Sequence, residues 1–184
     1  FQGAKPITSG EGGAIITNNK KIYEKAIYYN DHCRTKNKIL FSTDIGFKYK
    51  ISNLQSALLV TQLKNFNKII NIRRNNFFNY KKYLKNKEYF FMNSEKKFIF
   101  NNYYLPSIVL KKNIKKKTIK GLAKFLKKNQ VETRPFFRPL SSLPMFKSKR
   151  LKNPNAYKIF RYGINLPSYG KMRIKDIKYV CNLI

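Results

Sequence analysis

Apolar positions in the first half of the chain form one short run and two stretches of helical spacing. The run AIIT, residues 14–17, is β-branched and fits a buried strand, and the following NNKKIYEKAIYYNDH places Ile22, Ala26 and Tyr29 about a turn apart. A strand and then a helix are expected. CRTKNKILFSTDIGFKYK, residues 33–50, keeps no sustained period and reads as a connecting loop with a short strand candidate around Ile39 to Phe41. At Ser52 the pattern changes, because Ser52-Asn53-Leu54-Gln55 has the Ser-x-x-Gln form in which each side chain satisfies an end-of-helix amide. From there Leu54, Leu58, Phe66, Ile69, Ile70, Phe77, Tyr80 and Leu84 hold helical spacing to about Lys85. That predicts one helix over 52–86, long enough to bridge two domains.

In the second half, strand and helix signals alternate. FNNYYLPSIVL is a strand candidate, and KKTIKGLAKFLKKNQ carries Ile119, Leu122, Phe125 and Leu126 on one helical face. VETRPFF is extended, since the residue before Pro135 is pushed away from helix, and Phe136 and Phe137 read as core aromatics. A proline-rich stretch, RPLSSLPMF, follows. NPNAYKIFRYG reads as a short helix with Asn153 near its start and Gly163 at its stop, INLP as a brief strand, and RIKDIKYVCNLI as a last amphipathic helix. The pattern predicts a small α/β domain over 87–184 after a first domain over 1–86. The basic cluster KKNIKKKTIK reads as a solvated helix start.

Composition changes this picture little. A net charge of +32 raises nucleic acid or an anionic membrane surface as a partner. Only 8 of the 40 basic residues are arginine, however, and the abundance of lysine, asparagine and isoleucine is what a genome rich in A and T produces without selection for a polyanion. The two cysteines, Cys33 and Cys181, lie far apart with no paired-ligand spacing and read as reduced thiols, with no metal site. No apolar run approaches the ~20 residues that span a bilayer, and no signal segment leads the chain, so a cytoplasmic protein is expected. Phe1 starts inside what reads as an ordered segment, which predicts a piece of a longer protein.

The candidate chemistry lies at the start, in FQGAKPITSGEGGAIIT. GEGG is neither a phosphate loop, which needs Gly-x-x-x-x-Gly-Lys-Ser/Thr, nor a dinucleotide fingerprint, which needs Gly-x-Gly-x-x-Gly between strand and helix. Here the lysine precedes the glycines. A desolvated amine on such a loop is a nucleophile toward an aldehyde, whereas an exposed surface lysine carries no chemistry.

This stretch resembles the Ser-Phe-x-x-x-Lys-x-Ile-Thr-x-Gly-Glu-Gly-Gly segment of the pyridoxal-phosphate-dependent sugar aminotransferases, the DegT/DnrJ/EryC1/StrS family. Three further likenesses follow in the family's order. GFKYKISNLQSALLVTQL resembles its Gly-Tyr-Asn-Tyr-Arg-Met-Thr-Asn-Leu-Gln-Ala-Ala segment, and VETRPFFRPLSSLPMF and YGINLPSYG resemble its C-terminal signatures. The C-terminal pair is most similar to members that make 4-amino-4,6-dideoxysugars such as perosamine. The resemblance implies an α/β chain of the aspartate-aminotransferase-like fold (fold type I), here the end of the large cofactor domain plus the small C-terminal domain. It implies pyridoxal 5'-phosphate as cofactor and a homodimer with its site at the subunit interface. The implied reaction moves an amino group from an amino acid, L-glutamate, to a nucleotide-linked 4-keto-6-deoxysugar for surface-polysaccharide synthesis.

Carried onto this chain, Lys5 is the lysine that condenses with the cofactor and shuttles the proton. Sugar dehydratase relatives place a histidine there, so the lysine favours amino transfer. Lys48 stands where many members have an asparagine that reaches the neighbouring subunit's cofactor phosphate, and Lys50 replaces a frequent arginine, keeping charge but losing the bidentate fork. His32 falls in an Asp-His-Gly segment whose glycine is Cys33 here, which alters the backbone if that glycine has a positive φ. Arg134 is a candidate for holding an anionic group, and Ser141 stands where close relatives often have a histidine near the sugar pocket. The residues ahead of the family's lysine, which pair the pyridinium nitrogen and cradle the phosphate, have no counterpart in this sequence. A basic nucleic-acid-binding protein remains the alternative from another class, motivated by the charge and by 15% aromatic residues, and an inactive remnant of the family is a third.

Overall fold

The computed structural model describes residues 1–111, 118–146 and 153–184, so most of the basic cluster KKNIKKKTIK lies outside the described residues. The chain divides into two compact units, Phe1–Phe66 and Asn67–Ile184.

The first unit holds helices α1 (Lys20–Asn30) and α2 (Asn53–Lys64) joined by loops. Asn19 caps α1, its side chain accepting from the amides of Lys21 and Ile22. The capping box at α2 forms as the sequence predicts: Ser52 Oγ accepts from Gln55 N, and Gln55 Oε1 accepts from Ser52 N, both at 3.3 Å. Residues 14–17 form no strand. A β-branched run has strand propensity, but a ladder needs a neighbour, and among the described residues nothing pairs with it; Ile16 is 96% exposed. The strand candidate around Ile39 is likewise absent, with Leu40 in the left-handed region at φ 55°. Single bridges, Asp31 with Lys48 and Arg34 with Ser42, shape that loop instead.

The helix expected over 52–86 is two helices. Asn65 (φ −99°, ψ 12°) ends α2, and its Nδ2 donates to the carbonyl of Thr61 at 3.0 Å. Helix α3 (Phe66–Tyr83) follows, and all but its first residue belong to the second unit.

That unit is built on a four-stranded antiparallel sheet of order β1-β2-β4-β3, with β1 at Phe90–Met92, β2 at Ser107–Leu110, β3 at Arg134–Pro135 and β4 at Gly163–Asn165. Helices α4 (Ile119–Lys128), α5 (Pro154–Tyr162) and α6 (Ile174–Leu183) lie where helical spacing places them. Strand β1 has no sequence forecast. The core gathers Tyr80 of α3 and Leu84 just after it, Ile108 and Leu110 of β2, Leu126 of α4, Ile164 of β4 and Ile177 and Val180 of α6. On α4, Leu126 is buried and Ile119 and Leu122 pack on this core, but Phe125 is 48% exposed. Phe137 is not a core residue either, at 93% exposed. Buried Tyr80 donates its hydroxyl to the carbonyl of Pro167 at 3.0 Å, and burial raises its pKa. At one flank Arg74 donates to both carboxylate oxygens of Glu95, at 2.8 and 3.1 Å, and to Asn101 O, with its guanidinium 4.3 Å from the Phe100 ring. That hydrogen bond holds the Glu95 carboxyl below its usual range.

Candidate functional site

Lys5 sits on a turn braced from within. Phe1 N donates to Gly12 O at 2.6 Å, Ser9 N and Thr8 Oγ1 both donate to Phe1 O at 3.0 Å, and Ser9 Oγ donates to Glu11 O at 2.7 Å. Ser9 is buried under this loop. Gly10 and Gly12 have φ of 86° and 125°, a region costly for any residue with a Cβ, so two of the motif's glycines serve the turn's geometry. The Lys5 amide donates to Gln2 O at 2.9 Å, and the residue faces solvent.

A second segment adjoins the turn. Phe47 N donates to Tyr29 O at 2.8 Å, His32 N to Phe47 O at 3.0 Å and Tyr49 N to Asn30 O at 3.2 Å, so residues 47–49 are laced to the end of α1. A methyl on Gly12 would lie 3.6 Å from Ile51 Cδ1, which puts the glycine turn against the end of this segment. The structure therefore brings the stretch bearing Lys48 and Lys50 beside the turn bearing Lys5. Lys48 is exposed. The Lys50 ammonium donates to Asp31 Oδ2 at 2.9 Å and holds that carboxyl below its ordinary range, so its charge is partly committed. Asp31 carries no sequence signal as a partner, being 19 positions away.

The departure at Cys33 is accommodated. Cys33 takes φ 52° and His32 φ 59°, so the left-handed backbone suited to glycine persists with a cysteine in it. Cys33 is buried and free, and Gly46 makes room for it: a Cβ there would lie 2.5 Å from Cys33 N and 2.8 Å from its Sγ. Gly46 is a residue that sequence reasoning quoted but did not single out.

Arg134 and Ser141 belong to the second unit. Arg134 is exposed on edge strand β3, in register with Asn165. Ser141 Oγ lies 3.1 Å from Tyr157 Oη, a partner that sequence reasoning missed. Among the described residues no group of His, Cys, Asp and Glu has the makings of a metal site, and no helix is long and apolar enough to cross a membrane.

The pattern of the DegT/DnrJ/EryC1/StrS aminotransferase family matches residues 1–184. GDP-perosamine synthase of Vibrio cholerae is 32% identical over 186 residues, covering 100% of this chain and 50% of that protein. Among solved structures, Helicobacter pylori PseC, an aminotransferase involved in the biosynthesis of pseudoaminic acid, superposes with a TM-score of 0.84 at 21% identity, covering 97% of this chain and 49% of that one. The E. coli GDP-4-keto-6-deoxy-D-mannose-3-dehydratase with bound hydrated PLP gives 0.80 at 21%, covering 98% and 51%. The chain spans about half the length of the curated relatives it matches.

Proposed function

Since the chain belongs to the DegT/DnrJ/EryC1/StrS aminotransferase family, we propose that it forms the lysine-bearing part of a nucleotide-sugar aminotransferase that uses pyridoxal phosphate. The substrates are an amino acid, L-glutamate, and a nucleotide-linked 4-keto-6-deoxysugar, and the site is completed in a homodimer. The observation that carries this reading is the braced turn that presents Lys5, with its glycines in the left-handed region. The residues present fit the cofactor in part. An amine on a fixed loop suits an aldehyde, and the lysine at position 48 on the adjoining segment suits a phosphate as a point charge.

When bound, pyridoxal phosphate supplies the electron sink that stabilises a carbanion next to nitrogen. The chain supplies orientation and proton transfer. Lys5 Nζ would hold the cofactor and, as a free amine, would serve as the acid and base that moves the proton during amino transfer. Lys50, anchored by Asp31, keeps a positive charge beside that turn, and Arg134 and Ser141 are the candidates for holding the sugar nucleotide. A dehydratase shares this fold, so the choice of amino transfer rests on Lys5 itself, whose amine can both hold the cofactor and return the proton. In the full protein, Lys5→Ala is expected to abolish amino transfer, measured with glutamate and a GDP-linked 4-keto-6-deoxysugar. Normal turnover by that variant refutes the assignment.

A further inference from the structure

The connection between β1 and β2 holds the sequence EKKFIF, residues 95–100. Its last three side chains stand in water: Phe98 is 83% exposed, Phe100 71% and Ile99 45%. Among the described residues of the second unit this is the only run of three consecutive exposed large apolar side chains. Apolar residues scattered singly on a surface need no explanation, but these crown a turn, in which the Ile99 amide donates to Lys96 O at 2.9 Å. The base of the turn is pinned to α3. Arg74 binds Glu95 and the Asn101 carbonyl, Glu95 Oε1 also accepts from Asn101 N at 2.7 Å, and the Arg74 guanidinium lies 5.4 Å from the Phe78 and Tyr103 rings. The tip is therefore held outward by its own anchor. Between Phe90 and Leu110 the charged side chains are Glu95, Lys96 and Lys97. Glu95 is spent on Arg74, which leaves two exposed lysines beside three exposed apolar side chains.

We propose that this tip docks the protein on an anionic lipid surface, with Phe98 and Ile99 entering the boundary between headgroups and acyl chains and Lys96 and Lys97 meeting the lipid phosphates. Apolar side chains gain by leaving water for that boundary, and the long lysine stem lets its ammonium stay among the headgroups while a neighbouring ring goes deeper. Each lysine near such a surface adds attraction, and the chain's charge of +32 draws the whole protein toward it. The docking is peripheral, since a three-residue tip reaches only the interface. Single-stranded nucleic acid fits the tip less well. A base stacks on an open aromatic face or a free guanidinium, whereas one face of Phe100 is covered by Arg74, Ile99 has no π-face, and Arg74 is committed to Glu95 and Asn101. Residues 96–99 have no part in the proposed amino transfer, so failure of docking and failure of that reaction are separate results.

The full 184-residue chain contains no tryptophan, so Phe98→Trp introduces a single indole at the tip. On vesicles of phosphatidylcholine with about 30% phosphatidylglycerol, its emission should move to shorter wavelength and be quenched by brominated lipid. Phe137→Trp, at a site 93% exposed outside the tip, should show neither change. In vesicle sedimentation Phe98→Ser should weaken binding about tenfold, the loss expected when one phenyl ring no longer leaves water. Lys96→Gln with Lys97→Gln should weaken it by about tenfold or more. Because Phe98 is exposed, Phe98→Ser should leave the far-UV circular dichroism unchanged, which separates lost docking from lost folding. Unchanged vesicle affinity in Phe98→Ser overturns the proposal, since charge alone then accounts for adsorption. An unshifted indole on vesicle-bound Phe98→Trp protein overturns it too. So does Phe98-dependent binding that is tighter to single-stranded DNA than to vesicles, which makes nucleic acid the occupant. A shift that grows with protein concentration in the absence of lipid also overturns it, in favour of a second copy.

Discussion

Gly163 stands at the end of α5 and the start of β4, where the sequence marks it as a helix stop. Its φ is −103°, outside the left-handed region, so a left-handed helix cap is not what requires glycine. Packing is. A Cβ on residue 163 would lie 2.5 Å from Cδ2 of the Phe136 ring and 2.8 Å from the carbonyl oxygen of Ile159, against an ordinary contact of about 3.4–4 Å. The ring must give by roughly an ångström, and the helix carbonyl has little room to follow, which puts Gly163→Ala within the overpacking cost of about 1–3 kcal/mol. With a urea slope near 2 kcal/mol/M, a loss of about 2 kcal/mol lowers the midpoint by about 1 M at unchanged slope. Phe136→Ala removes the ring that the new methyl meets. In that background only the 2.8 Å approach to the Ile159 carbonyl remains, so Gly163→Ala should cost less, by about 0.5–3 kcal/mol as expected for residues in contact. The assay is urea unfolding followed by far-UV circular dichroism on the four proteins of the cycle. Equal costs in both backgrounds, or a neutral Gly163→Ala, refute the packing argument.

Tyr80→Phe should cost about 1–3 kcal/mol in the same unfolding assay, because it leaves the Pro167 carbonyl without its donor; a neutral substitution would show that water replaces the hydroxyl. Burial pushes the Cys181 thiol up to about 12 from an ordinary value of 9.0, so the folded state holds this proton more tightly than the unfolded one. The resulting stability is complete below pH 9 and is lost as pH rises toward 12, and Cys181→Ser should flatten that part of the stability profile. An unchanged alkaline profile in the variant counts against the burial argument.

Much of the fold is legible locally. The capping box at Ser52 and the helices α1, α4, α5 and α6 follow from spacing and end signals, because the residues that decide them are neighbours in sequence. Where a partner decides, legibility fails. Residues 14–17 have strand propensity but no adjacent strand among the described residues, and β1 is too short to alternate. The break at Asn65 hides in a run whose apolar spacing continues through it, from Leu63 to Phe66 to Ile69. The site divides in the same way. The lysine turn is readable because its glycines carry the geometry, whereas Cys33, where a side chain is expected to alter the backbone, keeps a left-handed φ of 52°. The Asp31–Lys50 and Ser141–Tyr157 pairs are made by folding alone and leave no trace in either segment.

The central claim, that Lys5 is the cofactor lysine among 32 lysines, is tested most directly by trapping. The full protein, or this chain assembled with the relatives' unmatched half, is incubated with pyridoxal phosphate near one equivalent, reduced with borohydride and mapped by peptide mass spectrometry. The pyridoxyl label should fall predominantly on Lys5, and Lys5→Ala should remove it without redirecting it to one other site. Label spread over many lysines, unaffected by Lys5→Ala, contradicts that claim.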